Sequence, residues 1–167
     1  MAGDSGPALE LDIQLAAEPA DLPAGADFPA WIRAALQGAA GDGGTDGMAG
    51  GALSLRLVGL AEGAELNSTW RHEAGPTNVL AFPGPAEALP PGVPPEFGDL
   101  VICLPVVLRE AAEQGKPPVS HLAHLVVHGT LHLLGYTHEG EADAARMEGL
   151  EARVLAGLGI PDPYVAK

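Results

Sequence analysis

The stretch His121–His138, "HLAHLVVHGTLHLLGYTH", constrains the fold more than any other part of this chain. At about 3.6 residues per helical turn, Leu122, Leu125, Val126 and Leu133 gather on one apolar side, while His121, His124, His128 and His132 share another. A helix divided in this way must rest on a core and leave its imidazoles in polar surroundings. Ser120 stands where an N-cap is expected, and Gly135 where the helix should end in a sharp turn.

The remaining pattern supplies that core. Leu9, Leu11, Ile13 and Leu15 alternate with polar residues, as in a half-buried strand, and "ALSLRLVG" repeats the period. "TNVLAFP" reads as a third, short strand, and "GDLVICL" as an interior one. Helices are expected over "DFPAWIRAALQGA", capped by Asp27, and over "LAEGAELNSTWR", ending near Asn67. Another runs from Pro105 to Gln114, closed by Gly115. The last helix carries Met147, Leu150, Val154 and Leu158 as its buried stripe. Strands interleaved with helices define an α/β (α+β) fold, with a small mixed sheet of about four strands covered by helices. Residues 1–8 read as a tail, and 9–167 as a single domain in which glycine-rich 38–51 is a flexible loop.

Charge and cysteine content narrow the setting. A net charge of -14 argues against a broad basic face that coats nucleic acid, although it permits a local cationic cleft. No apolar run is long enough to span a bilayer, so no membrane partner is expected, and the N-terminus lacks the pattern of a secretory signal. The lone Cys103 reads as a small apolar core residue and fits a reducing, cytoplasmic compartment.

His128 and His132, at i and i+4, can aim ring nitrogens at one ion at about 2.0–2.1 Å. After the turn at Gly135, His138 can swing back to the same point. The result is H-x3-H-x2-G-x2-H, three neutral ligands with a vacant fourth position, as in catalytic rather than structural zinc sites. His121 is two turns from His128 and cannot share the ion. His124 could form a rival pair with His128, or support the site from a second layer. The spacing matches the zinc-protease motif H-E-x-x-H-x-x-G-x-x-H except that Gly129 replaces the glutamate base. Glu139, Glu141 and Asp143 are near enough to supply a carboxylate, but also suit the acidic first turn of the last helix.

Several separated segments together resemble the YbeY family of bacterial endoribonucleases. "LNSTWRHEAGPTNVLAFP" is similar to the family's L-N-x-x-[YW]-R segment and the P-T-x-V-L-S-F-P that follows it. "GDLVIC", "HLAHLVVHGTLHLLGY" and "MEGLEARVLAGLGIPDPY" resemble its next strand, its metal helix and its C-terminal helix and tail. The resemblance implies a zinc-dependent, single-strand-specific endoribonuclease. It would act in maturation of the 3′ end of small-subunit ribosomal RNA and in ribosome quality control. Its implied partners are single-stranded rRNA and the small ribosomal subunit with its proteins. It makes His128, His132 and His138 the ligands of one Zn2+ and Arg71 the essential arginine. The chain departs from the family at Thr137, where aspartate is usual, and at Ala81, where serine is usual.

A zinc ion in an open site makes hydroxide available near neutral pH, and an arginine fork can clamp the phosphate that is attacked. Arg71 could equally form a surface ion pair with Glu73. His72 and His124 are candidate proton carriers, and Thr137 a possible neighbour of the metal. Two other readings stay open: a zinc metallopeptidase-like hydrolase, and a non-catalytic ribosome assembly factor stabilised by zinc.

Overall fold

The computed structural model describes residues 9–42, 51–84, 96–137 and 139–164. The expected tail, most of the glycine-rich loop, most of the proline-rich stretch and His138 lie outside the described residues. The strands are β1 (Leu9–Leu15), β2 (Gly51–Val58), β3 (Val79–Pro83) and β4 (Glu96–Cys103). The helices are α1 (Phe28–Gly41), α2 (Leu60–Arg71), α3 (Leu104–Gln114), α4 (Pro118–Leu133) and α5 (Glu141–Gly157), with a 3-10 turn at Pro19–Asp21.

The four strands form one mixed sheet in the order β1-β2-β4-β3. β1 and β4 flank β2 in parallel, and β3 pairs antiparallel with β4. The fold is the mixed α/β arrangement expected from the interleaved periods. "GDLVICL" does become an interior strand: Phe97, Leu100 and Ile102 are buried on one face, and on the other Val101 and Cys103 pack in a second, smaller cluster while Asp99 is exposed. β2 shows the same division, with Leu53, Leu55 and Leu57 inward and Ser54 and Arg56 outward.

The inward side chains meet α1, α4 and α5 in one core that contains Ile32, Leu122, Val126, Leu131, Met147 and Leu155. Each fully buried aliphatic side chain contributes about 1.5–3 kcal/mol by leaving water. Helix α4 is the central element, packing on α1, α3 and α5 and on β3 and β4. Its apolar side is the one the sequence marks: Leu122, Leu125, Val126 and Leu133 are all buried. Cys103 is buried too, and desolvation pushes its thiol pKa up, in keeping with a small core residue.

Several boundaries differ from the sequence expectation, each for a local reason. The loop expected from Gly38 does not begin there, because α1 continues through Gly41. α5 passes so close that a Cβ at Gly38 would fall 2.6 Å from Val154 Cγ2, so glycine at this point admits a neighbouring helix rather than breaking its own. Helix α2 runs past Asn67 to Arg71, closed by His72 in the left-handed conformation at φ 59°. Ser120 is not the cap of α4: the helix starts at Pro118 after Pro117, with proline in the first turn, where its missing N–H costs nothing. In α5, Leu155 and Glu151 are fully buried while Leu158 is only half-buried. Asp27 does cap α1, accepting from the Ala30 backbone N–H at 3.2 Å.

Candidate active site

The histidines of α4 form a ladder along one side of the helix, with successive ring centroids 6.3, 6.1 and 4.7 Å apart from His121 to His132. Each rung has a different setting. His121 is buried beside α3, with Nε2 2.9 Å from Glu110 Oε1. Desolvation lowers its pKa, against the opposing pull of Glu110, so it is held toward the neutral form. His124 and His128 both turn to α5, where they meet the carboxylate of Glu151. His132 lies over the cleft described below.

Glu151 is fully buried. Its Oε2 stands 2.6 Å from His128 Nδ1, and its Oε1 3.0 Å from His124 Nε2 and 2.5 Å from the Tyr164 hydroxyl. Burial acts to raise the carboxyl pKa, but hydrogen bonds from His124 and His128, the charge of His128 and the Tyr164 hydroxyl outweigh it and bring the pKa to about 2. Burial first, and then the bond to Glu151, push the Tyr164 phenol upward, so it donates to an ionised acceptor. A carboxylate can only accept, so the Nδ1 of His128 that faces it carries a proton, and Nε2 is the nitrogen left to offer a lone pair.

His124, His128 and Glu151 place ligand atoms within 4.8 Å of one another, and this His–His–Glu group could bind a metal ion. The donors on a tetrahedral zinc with bonds of about 2.1 Å are spaced by about 3.4 Å. The 2.6 Å contact between Glu151 and His128 is closer than that and has the length of a charge-assisted hydrogen bond.

The turn after α4 has the expected form. Gly135 adopts φ 101°, its N–H reaching His132 O at 3.0 Å while the Tyr136 N–H reaches Leu131 O at 3.1 Å. This pair of bonds is a Schellman closure, which needs a residue at ease with positive φ. Thr137 follows, in a shallow depression it shares with Tyr136, Asp143 and Arg146. Glu141 and Asp143 occupy the first turn of α5, as the acidic pattern suggests.

A cleft of about 550 Å³ opens between the end of α2, the edge strand β3 and the histidine face of α4. Trp70, Arg71, Asn78, Phe82, His128 and His132 all line it. Arg71 therefore shares a wall with two of the three expected metal ligands. It also makes the surface pair with Glu73, at 3.7 Å with both side chains more than half exposed, a weak contact that leaves the guanidinium accessible. The segment is held from behind by Asn67, a buried residue whose Nδ2 donates to Gly75 O at 2.7 Å. Asn78 is fixed by Glu110, at 3.1 Å, and by its own carbonyl, which accepts from the Cys103 N–H. Two depressions of slightly larger volume, about 650 and 620 Å³, lie between α1 and α5 and on the open face of the sheet. Neither is lined by a histidine.

Gly129 explains the departure from the protease motif. A Cβ there would fall 2.8 Å from Leu100 Cδ2 and 3.3 Å from Val79 Cγ2, so α4 sits on the sheet at this residue. Gly129 also borders the cleft, but a side chain at this place would have to displace Leu100 and Val79.

Glu151 and Tyr164 are the site residues that the sequence reading missed. Glu151 had a visible signal, since it falls on the Met147–Leu150–Val154 stripe, and an acid in an apolar stripe must find partners inside. Tyr164, in the short tail after α5, had none.

A mixed α/β domain with a histidine helix flooring a cleft, an arginine lining it and a buried carboxylate behind the imidazoles has the layout of a hydrolase site, with a His–His–Glu group that could bind a metal ion. The model of the Endoribonuclease YbeY family matches residues 17–159, and the chain belongs to that family. It is 55% identical over 165 residues to an Endoribonuclease YbeY of Alkalilimnicola ehrlichii, covering 96% of this chain and 94% of that one. A second relative of the same name, from Stutzerimonas stutzeri, is 51% identical over 162 residues, covering 93% of this chain and 91% of its own length. Among solved structures, that of a Thermotoga maritima protein in solution superposes with a TM-score of 0.50 at 22% identity, covering 92% of this chain and 99% of that one, a likeness of fold.

Proposed function

We propose that this protein is a single-strand-specific metallo-endoribonuclease that cleaves RNA in the cleft between α2, β3 and α4. The observation that carries the reading is the shared wall: Arg71 lines the same cleft as His128 and His132. Membership of a family described as endoribonucleases supports the ribonuclease function.

The residues suit a zinc ion. His128, with Nδ1 committed to Glu151, would offer Nε2, and His132 stands one turn further along the same face. His138, beyond the Gly135 turn, would complete the set. A divalent cation held there supplies Lewis acidity toward a phosphodiester and a nucleophile at neutral pH. Arg71 binds the phosphate oxygens through its planar fork and offsets the charge that grows as phosphorus is attacked. Glu151 keeps His128 in one tautomer and one orientation. His124, bonded to the same carboxylate, stiffens the arrangement from the far side.

The same reading assigns the protein to maturation of the 3′ end of small-subunit ribosomal RNA and to ribosome quality control, in the cytoplasm. With a net charge of -14, it gains little long-range attraction for RNA, so the small subunit and its proteins would present the strand. Among the described residues no helix is long and apolar enough to cross a membrane.

A metallopeptidase is the competing hydrolase, and the packed environment of Gly129 disfavours it. Incubating zinc-loaded protein with unstructured RNA and with casein separates the two. The expected outcome is RNA cleavage abolished by a chelator and restored by zinc, with casein intact. Casein cleavage with intact RNA would overturn the proposal.

A further inference from the structure

Among the described residues, Trp70 is the most exposed of the large apolar side chains, at 62%. It is largely open to solvent yet held on one side by another ring. It sits on the last turn of α2, immediately before Arg71, where His72 closes the helix and Asn67 ties the following segment back. Its ring meets Phe82 of β3 edge to face, with centroids 5.8 Å apart and planes at 69°. Both rings line the cleft that holds Arg71, His128 and His132. A braced indole left in water beside a phosphate-binding cation is the composition of a site for an aromatic group attached to a phosphate.

We infer that Trp70 is a nucleobase-stacking residue, whose indole, supported by Phe82, takes the base next to the phosphate that Arg71 binds. The inference rests on the ribonuclease reading and adds the origin of its strand preference. Every nucleobase has a π-face, so stacking tolerates any sequence. In a duplex that face is already covered by neighbouring bases, so only an unpaired nucleotide can settle on Trp70. The preference for single strands then comes from the requirement for an exposed base face.

The chain has two tryptophans, and Trp31 is buried at 4% exposure, so a change in emission on binding reports Trp70. Zinc-loaded full-length protein is titrated with a short, cleavage-resistant RNA carrying 2′-O-methyl riboses and phosphorothioate linkages, either single-stranded or annealed to its complement. In parallel, kcat and KM are measured on an unmodified unstructured RNA. The single strand should quench wild-type emission and the duplex should not, and Trp70→Phe should show no quench. Trp70→Ala should raise KM about ten-fold with kcat little changed, and Trp70→Phe should retain most of the affinity. An abasic nucleotide at the stacked position should weaken wild type, and weaken Trp70→Ala no further. RNA that is bound and cleaved with no quench, and with an unchanged KM in Trp70→Ala, overturns the stacking role and leaves the ribonuclease reading standing. Wild-type protein that neither binds nor cleaves RNA overturns both.

Discussion

Glu151 Oε2 stands 2.6 Å from His128 Nδ1, joining the middle of α5 to the middle of α4 inside the protein. The contact makes a core residue part of the site, because it sets which nitrogen of His128 is protonated. Glu151→Gln keeps the shape but sets an amide N–H2 against one of the two imidazoles. Zinc affinity should fall about 10–100-fold. The melting temperature of the metal-free protein should fall as well. A competition titration against a chromophoric chelator reads the first effect and a thermal melt the second. Unchanged zinc affinity would mean that Glu151 does not orient a ligand.

Gly129 is required by packing. Alanine there gains about 1 kcal/mol of helix propensity but drives a methyl into Leu100 and Val79, an overpacking cost of about 1–3 kcal/mol. Gly129→Ala should therefore be less stable by up to about 2 kcal/mol in denaturant unfolding. Gly129→Glu, which would rebuild the zinc-protease motif, should fail to fold. A stable Gly129→Glu protein that cleaves casein would contradict the packing seen around this residue.

Asp42 predicts a pH dependence. It accepts from the Tyr136 hydroxyl at 2.8 Å and from Arg146 Nε at 3.0 Å, and these hydrogen bonds, Tyr136 first, hold its carboxyl below the usual aspartate value. A carboxyl with a lower pKa in the folded state stabilises fully above its unfolded value of about 3.9, and the contribution is lost as pH falls below that. Melting temperatures of wild type and Asp42→Asn should differ by a constant amount above about pH 5 and converge as pH falls below about 3.9 and on through the lowered folded-state pKa. A difference that stays constant through that fall would remove Asp42 from the acid limb.

The fold was legible because hydrophobic period marks strands and helices directly. The alternation of Leu53, Leu55 and Leu57 and the apolar side of α4 both survive into the structure. The boundaries that moved depend on distant neighbours. Gly38 stays helical because of Val154 on α5, and Ser120 gives way to the Pro117–Pro118 start. At the site, the i,i+4 pair and the Gly135 turn follow from local geometry and could be read. The Glu151 bond could not, since it joins residues 23 positions apart through tertiary packing. Arg71 was an even choice between a surface pair and the cleft, and the structure gives it both.

RNA cleavage by Arg71→Ala tests the central claim most directly, with zinc content and melting temperature checked on the same preparation. The side chain is more than half exposed and its pair with Glu73 is loose, so fold and metal content should match wild type. Cleavage of single-stranded RNA should fall by at least about a hundred-fold, the scale of removing one preorganised donor to the transition state. Wild-type cleavage rates in a folded, zinc-replete Arg71→Ala protein would contradict the assignment of this cleft as the place where RNA is cut.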